Sequence, residues 1–220
     1  FEITEDVILG HNRLAIIDLD QRSNQPFSYC HLKIVFNGEI YNYQDLKKEL
    51  QKKGHVFETT SDTEVICASY LEYGNQCVDH FNGMFSFVIY DARKRKLFGA
   101  RDRFGKKPFY YCHRGLEFEF ASQPSQIGLA RALTIDEAAI NEYFSWGYIP
   151  EPRSIWNEIQ KLPAGHLFNY HFSSGSLEIE KYWYLDYSWK NKFSGSYQEA
   201  KETLKHLLLD SVKIRMNADV

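Results

Sequence analysis

The 220-residue sequence has no stretch approaching ~18 consecutive apolar residues, the length a helix needs to cross a bilayer, so no membrane-spanning helix is predicted. It also lacks a charge excess. Lys and Arg number 26 against 29 Asp and Glu, a formal net charge of −3 that leaves no electrostatic footprint for nucleic acid. The basic runs at 47–48, 52–53, 93–96 and 106–107 are short, scattered among acids, and read as solvated helix faces and turns. The four cysteines, Cys30, Cys67, Cys77 and Cys112, show neither a C-x-x-C pair nor a metal-ligand spacing. Neither a metal site nor a disulfide framework is predicted, and a reducing, cytoplasmic setting fits best. Also missing are an initiator Met and a signal peptide before Phe1-Glu2-Ile3, and a helix stop before Ala218-Asp219-Val220, so the sequence reads as a piece of a longer chain.

What is present is ordinary globular composition, 44% hydrophobic and 25% charged, in a chain long enough to bury a substantial core. The 16% of aromatic residues is accounted for by filling between packed layers.

The stretch around which the chain is organised is an apolar run at 34–36 that ends in Asn37-Gly38-Glu39. Asn-Gly between two strands reads as a two-residue hairpin turn. The residues that follow favour a strand running into a helix: Asn42 resembles an N-cap with Asp45 three residues on, Leu46 and Leu50 share a face, and Gly54 supplies a stop. Such a corner would present a backbone N–H, an amide and a carboxylate at one point.

Upstream, 7–9 and 14–17 are predicted strands joined by Gly10-His11-Asn12-Arg13, with Arg13 at the mouth of the second. A guanidinium there suits a bound carboxylate or a surface salt bridge. Ser61-Asp62-Thr63-Glu64 has the form of a capping box for a helix that stops at Gly74, which leaves Asp62 either a capping or a binding carboxylate. Period-two runs at 84–90, 96–101, 109–112 and 116–121 predict an antiparallel meander. The charge-dense connection 101–108 reads as a structured loop or an inter-domain contact. Helical spacing over 136–143, turns and strands over 159–168 and 177–184, and a long amphipathic helix over 197–215 make up a second part, with a boundary near residue 130.

Arg13, Asn37-Gly38-Glu39 and Asp62 each fall at a strand end or the start of the next element, along one rim of a sheet. An α-amino-acid substrate undergoing acyl transfer needs a cation for its carboxylate, acids for its ammonium and donors for an amide oxygen that becomes an oxyanion. These residues supply all three.

Five motifs now occur in order: Gly10-His11-Asn12-Arg13-Leu14-Ala15-Ile16-Ile17-Asp18, Asn37-Gly38-Glu39-Ile40-Tyr41-Asn42, Ser61-Asp62-Thr63-Glu64, Gly83-Met84-Phe85-Ser86-Phe87 and the run from Arg101-Asp102-Arg103-Phe104-Gly105 to Tyr111. Together they resemble the class II glutamine amidotransferases, and within them the glutamine-hydrolysing asparagine synthetases. The resemblance spans nearly the whole chain. It implies an α+β, Ntn-hydrolase type four-layer αββα sandwich for 1–130, followed over 131–220 by a connector and the first helix of an α/β ATP-pyrophosphatase domain. Leu162-Pro163-Ala164-Gly165-His166 and the 197–215 helix resemble that lead-in.

The resemblance further implies that Arg13 binds the glutamine α-carboxylate, that Glu39 and Asp62 hold its ammonium, that Asn37 and the Gly38 N–H form the oxyanion hole, and that the backbone from Leu14 to Ile17, with Leu14 and Ile16 as site residues, lines the pocket. Ammonia released from glutamine would amidate aspartate in a synthetase domain that uses ATP and Mg. No cofactor or metal is expected in this stretch, nor nucleic acid or membrane as a partner; a homodimer is an open expectation. The family's nucleophile is an amino-terminal cysteine whose own amine is the base. Phe1 cannot fill that role, and the Ser-Gly-Gly-x-Asp-Ser pyrophosphate loop is absent, so the chain alone is expected to bind glutamine weakly but not to hydrolyse it. At Gln123-Pro124-Ser125 the family usually has a glutamate and a lysine after Ala-Ser, a departure that bears on domain coupling. Two rival readings are an amidotransferase with a sugar or peptide carboxylate as acceptor, and a non-catalytic glutamine-binding or scaffold module.

Overall fold

The computed structural model describes residues 1–14, 16–128, 132–188 and 192–216. A ribbon of β1 (Glu2–Ile3) and β2 (Ile8–Leu9) leads to β3 (Phe27–Tyr29), β4 (Leu32–Ile40), α1 (Tyr43–Lys52) and α2 (Asp62–Tyr73). Next come β5 (Gly83–Asp91), β6 (Lys96–Arg101), β7 (Tyr110–Arg114), β8 (Glu117–Ala121) and α3 (Glu137–Trp146). The described chain ends with β9 (Gln160–Lys161), β10 (His166–His171), β11 (Ser176–Lys181) and α4 (Tyr197–Lys213). A six-stranded antiparallel sheet has the order β11-β10-β6-β5-β4-β3, and a three-stranded sheet the order β8-β7-β9.

Alternation along the strands divides the core in two. Phe85, Phe87 and Ile89 of β5 pack with Leu46 and Leu50 of α1 and Val65, Ile66 and Tyr70 of α2. Their neighbours Val88 and Tyr90 pack on the opposite face with Phe109, just before β7, and with Tyr111, Phe118 and Phe120 of the second sheet. Because both faces of β5 are covered, the period-two pattern expected over 84–90 gives way to unbroken burial from Phe85 to Asp91. The result is a mixed α+β stack of a helix pair and two sheets.

Among the described residues, Ile127, Leu133, Trp156 and Ile159, none of them in an α-helix, pack against Cys112 and Tyr110 of the second sheet. The meander is interrupted: β5 and β6 form one hairpin and β7 and β8 another, in different sheets. The reason lies at Asp102. Its N–H and carboxylate take the C=O and N–H of Phe85, at 2.8 and 3.2 Å, so the chain leaves the first sheet while its last rung stays satisfied. Strands at 160–181 do not form a separate connecting region; β10 pairs with β6 and β9 with β7, which joins both sides of residue 130 in the same sheets.

Local chemistry departs from expectation at two helix starts. The Asn42 side chain makes no capping bond to α1. It bridges instead to the segment before β5, donating to His80 O and accepting from Asn82 N, both at 2.9 Å. At α2, Ser61 Oγ accepts from Thr63 N, but Glu64 turns to the N–H groups of Glu58 and Thr59, so the reciprocal capping box does not form. A complete one does form at α4, between Ser196 and Glu199.

Candidate active site

The predicted corner at Asn37-Gly38-Glu39 is the interior of β4, paired rung for rung with Ser86, Phe85 and Met84 of β5. Gly38 is required there for two reasons. Its φ is +149°, and a Cβ would lie 2.0 Å from Met84 O. The other edge of β4 is open beyond the short β3, and it carries the site. There Phe36 N–H donates to Gln25 Oε1 at 2.6 Å and Ile40 N–H to Asp62 Oδ2 at 3.0 Å. Two-residue alternation places the N–H of Gly38 on this same edge, between those two. Its cross-strand partner Phe85 has both backbone groups engaged by Asp102.

Asp62, at the first turn of α2, is only 5% exposed. Burial pushes its carboxyl up to about 6; the N–H groups of Ile40 and Thr63 oppose the rise, and the nearby Glu39 charge adds to it. Two acids thus converge beside a donor edge.

The predicted strand over 14–17 does not form among the described residues, and its Ala15 lies outside them. The segment is a loop organised by Arg13, whose Nη2 donates to Ile17 O at 2.6 Å and Asp18 O at 2.7 Å. Asp18 sits at φ 51° and anchors the loop to the start of α2 by accepting from Thr60 N at 2.8 Å. Asp18 turns the chain just past the apolar run, and Leu14 is left 83% exposed. Beside Arg13, burial and the guanidinium charge hold the His11 imidazole below its ordinary pKa.

The seven residues singled out by sequence, Arg13, Leu14, Ile16, Asn37, Gly38, Glu39 and Asp62, all line one cavity of about 600 Å³ at the mouth of the space between the two sheets. Sequence reasoning missed His11, Gln25, Ser86, Lys107, Phe109 and Phe120, which line it too. Ser86 and Lys107 lay within quoted motifs and carried that much signal; Gln25, in a polar turn-rich stretch, carried none. None of the four cysteines lines the cavity. Cys67 and Cys77 are buried, and burial pushes both thiols well up. Among the described residues no cluster of three or more His, Cys, Asp and Glu is placed to hold a metal, and no helix is long and apolar enough to cross a membrane.

The chain is 37% identical to asparagine synthetase [glutamine-hydrolyzing] 3 of Bacillus subtilis over 97% of its length and 35% of the relative's. It is 39% identical to the putative asparagine synthetase [glutamine-hydrolyzing] 2 of Methanocaldococcus jannaschii, over 96% of this chain and 44% of that one. The chain therefore spans less than half the length of these curated relatives. Among solved structures, the glutamine phosphoribosylpyrophosphate amidotransferase of B. subtilis is similar over 69% of this chain and 29% of that one, at 18% identity and a TM-score of 0.47. Residues 2–183 match the family described as a glutamine amidotransferase domain, and the chain belongs to that family.

Proposed function

We propose that the cavity binds glutamine and that the chain is the glutaminase half of an ATP-dependent asparagine synthetase, supplying ammonia for the amidation of aspartate. One observation carries the reading: residues from three separated segments, with the charges an α-amino acid requires, line a single cavity. Arg13 takes the α-carboxylate with the N–H groups that its loop leaves unused, Glu39 and Asp62 take the ammonium, and the Asn37 amide and Gly38 N–H receive the oxygen of the side-chain amide. Donors already fixed in a strand cost no reorganisation when that oxygen becomes an oxyanion. The attacking thiol is not one of the chain's four cysteines. The stack of helices and sheets is read as that of an Ntn hydrolase, and α4 as the lead-in to a synthetase domain that uses ATP and Mg in the cytoplasm.

Titration calorimetry tests the binding step. Arg13→Ala is expected to weaken glutamine binding at least tenfold, about 1.4 kcal/mol or more, as loss of a charge-assisted pair requires. Unchanged affinity would remove Arg13 from the site.

A further inference from the structure

We propose that Lys107 is a further specificity-determining residue of this cavity, a fixed cation at the end where the side-chain amide lies, which binds the γ-carboxylate of glutamate and so retains the product of hydrolysis. The inference rests on the glutamine reading of the site.

Its position comes from the sheet. Asn37, Ser86 and Arg101 are consecutive cross-strand partners, and Ser86 Oγ donates to Pro108 O at 3.1 Å. Lys107 therefore sits over the Asn37 rung, on a different segment from Arg13. Its backbone is held at both ends: the N–H donates to Asp102 Oδ2 at 3.0 Å and the C=O accepts from Arg101 Nε at 2.7 Å. Arg101 and Asp102 are themselves 6% and 1% exposed. A loop pinned by two buried charges holds the Lys107 backbone at a defined place, from which its side chain lines the cavity.

The charge balance supplies the ligand. Among the described residues, Arg13 and Lys107 are the cationic side chains lining the cavity, and Glu39 and Asp62 the anionic ones. The α-carboxylate and α-ammonium of a bound amino acid occupy Arg13 and the acid pair. Lys107 is half-buried, and among the described residues no hydrogen bond or ion pair engages its ammonium. A partly desolvated ammonium without a counter-ion favours an anion. Glutamine offers a neutral amide at that end, whereas glutamate offers a carboxylate.

The test compares L-glutamate and L-glutamine binding to the chain and to its Lys107→Met and Lys107→Arg variants, by calorimetry near pH 7.5, with thermal unfolding as a check on folding. Lys107→Met is expected to weaken glutamate about tenfold or more while glutamine changes less than about twofold, and Lys107→Arg to keep most of the glutamate affinity. Equal losses for both ligands, or no loss for either, would overturn the assignment. A wild-type chain that binds neither amino acid would instead reject the glutamine reading, and the role of Lys107 with it.

Discussion

Asp62 illustrates what a binding site costs the residue that serves it. An acid whose folded-state pKa is raised above its unfolded value of about 4 favours folding at pH below that value, and the contribution is lost as pH rises through the folded pKa, here about 6. Asp62→Asn, which keeps an oxygen for the Ile40 N–H, is therefore expected to stabilise the protein by about 2–3 kcal/mol at pH 7.5 and by little at pH 4, read from urea denaturation at the two pH values. The same variant should bind glutamine more weakly, and wild-type affinity should fall as pH drops through about 6, because the ammonium needs the ionised acid. Residues of this kind were legible in sequence because they stand in motifs whose order is informative. Lys107 stood in a quoted motif too, but nothing in that motif says on which side of the sheet its loop closes.

Elements with strong periodicity were readable: α1, α2, β5 and β6 fall close to their expected bounds. What escaped was whatever a distant side chain decides. Arg13 converts an apolar run into a loop by collecting carbonyls, and Asp102 ends a hairpin by imitating a strand. The pairing of β4 with β5 was hidden as well, since Asn-Gly suggests a turn where the structure has nine continuous rungs. That pairing is unusually intolerant of bulk. A Cβ at Gly83 would lie 2.2 Å from Glu39 O and 3.0 Å from Ile40 Cα, both backbone atoms that cannot swing aside. Gly83→Ala is expected to cost about 1–3 kcal/mol or more in urea denaturation and to weaken glutamine binding by displacing Glu39. At Gly115, where nothing lies within 4 Å, the same change should leave binding unaltered.

Over the whole molecule, the sequence pattern suggested a body ending near residue 130 because helical spacing resumes there; periodicity carries no information about which later strand returns. Those strands complete both sheets, β10 covering the edge of β6 and β9 that of β7. A chain cut at residue 130 is expected to show no cooperative thermal transition and no glutamine binding, whereas one ending at residue 188 should keep both; a cooperatively folding 1–130 piece that binds glutamine would contradict this. The return of β10 to β6, with Leu167 opposite Ala100, also sets an order of events during synthesis. The helix pair and the first four strands of the large sheet emerge from the ribosome together, but β6 then keeps an unpaired edge until the stretch around Leu167 has been translated. Nascent chains stalled before that point present an adhesive strand to their neighbours, and this is the window in which a chaperone has most to do.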